Sequence, residues 1–93
     1  MKYVMLGTLG RDWLGKQRDR TKGARKKLDE LGITLETLYY TQGEYDFVDI
    51  VEAPDAEAML AFSVWYAGQG YGRITTMPAF AESEMNAAVE RAG

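Results

Sequence analysis

Residues 33–55 read ITLETLYYTQGEYDFVDIVEAPD, and this stretch decides the fold. Two runs rich in β-branched and aromatic residues, 33–42 and Tyr45–Glu52, flank Gly43-Glu44. Such residues favour strands and glycine favours turns, so the pattern predicts an antiparallel hairpin with a tight turn at Gly43-Glu44. Proline cannot continue a hydrogen-bonded ladder, so Ala53-Pro54-Asp55 ends the second strand. Asp55 is then placed to cap a helix from Ala56 to about Ala67.

Working outward, the helix sequence AEAMLAFSVWYA is apolar around most of its circumference and needs cover on more than one side. Gly68-Gln69-Gly70 stops it, and Tyr71–Pro78 reads as a further strand. A last helix over 81–92 puts Met85, Ala88, Val89 and Ala92 on one side. On the N-terminal side, residues 2–8 form a strand ended by glycines. From Arg18 to Leu31 the residues Thr21, Ala24, Leu28 and Leu31 recur at helical spacing, and Gly32 ends that helix. Gly23 within it signals close packing or a weak point.

The order β-α-β-β-α-β with a trailing helix predicts an α+β, ferredoxin-like fold: one domain over 1–93, with a four-stranded antiparallel sheet and both main helices on one face. Neither parity of the two hairpin strands is cleanly polar. Tyr45, Phe47, Asp49 and Val51 alternate with Asp46, Val48, Ile50 and Glu52. The sheet's second face is therefore too apolar to leave in water, and a homodimer or higher assembly is expected.

The chain has 93 residues, no cysteine and no histidine. That excludes disulfides, Cys/His zinc sites, thiolate nucleophiles and Ser-His-Asp triads. No metal site stands out and no cofactor is expected. No apolar run is long enough to cross a bilayer, and the N-terminus lacks a signal-peptide pattern, so a cytoplasmic, bacterial-type protein is expected. Charge is uneven: nine cations oppose two acids in residues 1–27, and two cations oppose twelve acids in 28–93. The basic segment invites a nucleic-acid reading. Asp46, Asp49 and Glu52 on the third strand argue against it, because they repel phosphate from the sheet. The basic helix more naturally complements acids elsewhere in the assembly.

The segment Gly43-Glu44-Tyr45-Asp46, continued by Phe47–Asp55, resembles the GYD domain family of short bacterial proteins. Gly72-Arg73-Ile74-Thr75-Thr76 followed by Pro78-Ala79-Phe80, and the helix starting Ala81-Glu82, fit as well. The resemblance implies a ferredoxin-like fold of the dimeric α+β barrel type. It implies no assigned activity.

Without histidine, any base must be Asp49, Asp46 or a perturbed tyrosine. Asp49 leads, because a lone acid among Tyr45, Phe47 and Val51 needs a partner if buried. Arg73 is the expected partner, across the sheet or across a subunit interface. If a small, partly apolar ligand binds, Tyr45, Asp49, Trp65 and Arg73 are the expected contacts. One expected function is a homo-oligomeric ligand-binding or assembly module; the resemblance to dimeric α+β barrels implies the alternative, a cofactor-independent oxygenase- or isomerase-type enzyme, with Asp49 or Asp46 as base. An enclosed cavity holding an unpaired Asp49 favours the enzyme. A sheet interface filled by side chains, with Asp49 bonded to Arg73, excludes it.

Overall fold

Seven elements follow one another in a computed structural model that describes residues 1–93. They are β1 (Lys2–Leu9), α1 (Gln17–Glu30), β2 (Thr34–Tyr40), β3 (Phe47–Glu52), α2 (Ala56–Gly68), β4 (Gly72–Pro78) and α3 (Glu82–Ala92). A short 3-10 turn, Arg11–Trp13, lies between β1 and α1. The strands form one sheet in the order β2-β3-β1-β4, and every neighbouring pair is antiparallel. This is the ferredoxin-like α+β arrangement expected from the element order.

The register sorts the side chains. Tyr40, Phe47, Gly7 and Ile74 form one cross-strand row, and Leu38, Asp49, Met5 and Thr76 form the next row on the same face. That face carries the core. Tyr3, Met5, Phe47 and Val51 pack with Ala24 and Leu28 of α1 and with Met59, Phe62 and Tyr66 of α2 in one apolar cluster. The alternate rows, Tyr39-Val48-Leu6-Thr75 and Thr37-Ile50-Val4-Met77, lie on the other face, which neither α1 nor α2 covers. Val4, Leu6, Val48 and Ile50 are shielded only in part, and Tyr39 and Met77 are exposed.

The β2–β3 hairpin differs from its sequence reading. The Thr41 N–H donates to the Asp46 carbonyl, which closes a loop over residues 42–45, and β3 begins at Phe47 rather than Tyr45. Asp46 keeps that one carbonyl bond across the hairpin, while its amide and side chain turn to β1. Its amide donates to the Gly7 carbonyl at 2.7 Å, and its Oδ2 accepts the Leu9 N–H at 2.7 Å.

Three glycines are required by close approach, and at the first, Gly7, a Cβ would run into the buried Phe47 ring. A Cβ on Gly23 would meet the Tyr71 hydroxyl at 2.5 Å, so α1 lies against that ring. Gly72 has φ +146°, and a Cβ there would lie 1.9 Å from the Thr8 carbonyl oxygen. Only glycine lets β4 begin beside the end of β1.

Asp55 caps α2 as its position suggests, its Oδ1 accepting the Ala58 N–H at 2.8 Å. Asp55→Ala is expected to lower stability by about 1 kcal/mol, read as a lower urea midpoint with an unchanged slope. No comparable packing holds α3. All its residues are exposed, and its start is fixed by Glu84, whose Oε1 accepts the Ala81 N–H at 2.8 Å.

Candidate functional site

Asp49 lies at the middle of β3 on the helix-facing side, and it is 6% exposed. Alternation along the strand puts it between Phe47 and Val51, both core residues. Above it sits Arg20 of α1, only 2% exposed. The Arg20 guanidinium stacks 4.3 Å from the centre of the Phe47 ring. Its Nη2 donates to Thr21 Oγ1 at 3.0 Å and Tyr40 Oη at 3.4 Å, and its Nη1 donates to Tyr66 Oη at 3.5 Å. The Thr21 and Tyr40 hydroxyls are themselves in hydrogen-bond contact.

The cluster is incompletely satisfied. Arg20 Nε, Asp49 Oδ1 and Thr76 Oγ1 are buried without hydrogen-bond partners. Burial pushes the Asp49 carboxyl up to about 6, against the pull of Arg20 and, more weakly, of Arg25. Burial also raises the Tyr66 phenol, again against Arg20. A carboxylate that titrates near neutrality beside a fixed guanidinium can hold or release one proton, and that is the chemistry this arrangement offers.

The other expected site residues lie elsewhere. Arg73 is aligned with Thr8 on the open face of the sheet, and β1 separates its strand from β3. It therefore does not pair with Asp49, and a contact between open sheet faces would not bring them together. The cation that acts on Asp49 is instead Arg20, through its charge alone and without a hydrogen bond or ion pair between them. The sequence carried a signal for this, since Arg20 shares the four-residue spacing of Ala24 and Leu28 along the buried side of α1. A basic helix made that residue look solvated.

Tyr45 and Arg73 do come together, with Glu44, Leu6 and Thr8, in a shallow cleft of about 270 Å³ at one end of the open face. Trp65 is on the outer side of α2, packed on Phe62 and Tyr71 with the Lys27 ammonium 6.0 Å from its ring. Asp46 acts structurally, tying its loop to β1. Asp46→Ala leaves the Leu9 amide without its acceptor, and a loss of about 1–2 kcal/mol is expected in urea unfolding. An intact stability there would contradict the structural role.

A ferredoxin-like sheet with one covered face, one open face and buried Arg20 and Asp49 defines a small α+β protein. The GYD domain model matches residues 3–89, nearly the whole chain, and the protein belongs to that family. A relative from Thermus thermophilus, named glutamine synthetase and cystathionine beta-lyase binding protein, is 29% identical over 87 residues, covering 89% of this chain and 92% of the relative. The crystal structure of MtbAldR superposes with a TM-score of 0.70 at 22% identity, over 87% of this chain. This chain spans 53% of that one, and the likeness concerns the fold. No helix is long and apolar enough to cross a membrane.

Proposed function

We propose that the protein is a self-associating, protein-binding module that uses the open sheet face to pair with a second copy and then presents its outer surfaces to a partner enzyme. The open face carries this reading: a continuous surface of Val4, Leu6, Val48, Ile50, Tyr39 and Met77 that neither main helix covers. Two such faces packed about 10 Å apart would bury one another, as sheets do in sandwiches. The Thermus relative, whose name records the binding of two enzymes, supports protein partners. The four residues first expected to share a small ligand are dispersed over three surfaces, which further favours an assembly role.

The test is direct binding. Purified glutamine synthetase and cystathionine β-lyase from the same host are mixed in turn with the protein and sedimented. Co-sedimentation with either at micromolar concentration is expected. Separate boundaries with both, up to about 50 μM (roughly −6 kcal/mol of binding free energy), would overturn the reading.

A second reading, catalysis with Asp49 as base, has one observation in its favour: the unpartnered, buried Asp49 Oδ1. The clefts that contain Tyr45, Trp65 and Arg73 do not reach it.

A further inference from the structure

The chain's ion pairs join the N-terminal ammonium to Glu52, Lys2 to Glu36 and Lys27 to Glu30. Arg73 and Glu44 take part in none of them, yet both line the cleft of about 270 Å³ at one end of the open sheet face. Three larger clefts lack this opposition of free charges. In the one beside β2, Arg25 and Lys26 stand four and three residues from Asp29 on α1, so they balance it along a single helix. In the one beside α3, Lys2, Glu52 and the N-terminus are already matched. Between α1 and α2, Lys27 is matched as well. The Tyr45–Arg73 cleft alone among these draws its cation from a strand and its anion from a separate loop, with no ion pair joining them.

Both walls are held in place. Arg73 sits in the β1–β4 ladder opposite Thr8. The loop that carries Glu44 and Tyr45 is closed by the Thr41 N–H on the Asp46 carbonyl, and Thr41 Oγ1 donates to the Tyr45 carbonyl at 2.6 Å. The Asp46 bonds to β1 then tie that loop to the sheet. Leu6 and Ile74 supply apolar lining, and Thr8 and Thr75 add hydroxyls. We propose that this cleft binds a small zwitterion with a short aliphatic body, its carboxylate on the Arg73 guanidinium and its ammonium on the Glu44 carboxylate. A guanidinium presents paired N–H groups that match a carboxylate. A plain anion would meet Glu44 and a plain amine would meet Arg73, so each encounters like charge. A ligand carrying both charges answers both walls, and the repulsive wall rejects its one-charge analogues. The apolar lining suits an aliphatic body, and fixed walls lower the cost of ordering the site. All the residues belong to one chain, so the site stands apart from the pairing of open sheets.

The probes are L-leucine, isocaproate, which lacks its ammonium, and isoamylamine, which lacks its carboxylate. Each is titrated into isotope-labelled protein and followed by backbone amide NMR shifts. L-Leucine is expected to give saturable shifts below about 20 mM. Those shifts are expected at residues 6–8, 44–46 and 73–75, with binding about tenfold tighter than that of either analogue. Arg73→Gln is expected to weaken L-leucine about tenfold without weakening isoamylamine. Glu44→Gln is expected to weaken L-leucine by a similar factor without weakening isocaproate. Both positions are exposed, so the variants are expected to keep the fold, which the same spectra report. The proposal is overturned by the absence of saturable shifts, by shifts centred elsewhere, or by an analogue that binds as tightly as L-leucine. L-Leucine binding left intact by either substitution overturns it as well.

Discussion

Ile50→Lys is expected to abolish the proposed pairing of open sheets, raising its dissociation constant about a thousandfold or more. Ile50 lies in the row Thr37-Ile50-Val4-Met77, inside the open face and between two strands on one side and one on the other. In a two-fold contact each chain contributes its own residue 50, so one substitution places two unpaired ammonium groups in the same apolar layer. Leaving a charge buried without a partner costs several kcal/mol, and about 4 kcal/mol corresponds to a thousandfold change in affinity. The monomer itself should fold, because the substituted side chain faces away from the core. Sedimentation reads the mass, and circular dichroism with a urea titration reads the fold. An assembled Ile50→Lys protein would show that the open sheet is not the contact.

Asp49→Asn makes the protein more stable at pH 7.5 by about 3 kcal/mol and leaves it nearly unchanged at pH 4. The Asp49 carboxyl is raised from 3.8 to about 6 in the folded state, chiefly by burial. The folded protein therefore binds this proton more tightly than the unfolded chain does. The stability associated with the neutral form is fully present below about pH 4 and is lost as pH rises through about 6. A shift of that size corresponds to about 3 kcal/mol at pH values above both pKa values. Asparagine is neutral throughout and nearly the same shape as the protonated acid, so the difference between variant and wild type should open between pH 4 and 7. Urea midpoints at a series of pH values measure it. A difference that stays constant across this range would show that Asp49 does not titrate in this window. The opposite sign, with asparagine destabilising at pH 7.5, would show that the carboxylate is well paired with Arg20.

The order of strands and helices was legible because each element carries its own local signal. Proline and Asp55 mark the end of β3 and the start of α2, Gly32 marks the end of α1, and the apolar spacing gives α1 its buried side. The start of β3 was not legible, because the bonds that take Asp46 out of the hairpin come from Gly7 and Leu9, far away in sequence. The face of the sheet that meets the helices was equally hidden. Both parities of β3 are apolar, so only the packing of Phe47 under Tyr66 and Arg20 places Asp49 inside and Ile50 outside. The site followed from that choice. Asp49 was recognisable as an acid in apolar company, but the cation that acts on it depends on which face it occupies: the helix face brings the charge of Arg20, and Arg73 stands on the open face.

The central claim is that this chain completes itself by covering its open sheet with a second copy. Sedimentation equilibrium of the unmodified protein at micromolar concentration tests it most directly. For a chain of 10.4 kDa, the account predicts a mass of at least twice that value, independent of dilution across the micromolar range. A single species at 10.4 kDa would contradict it.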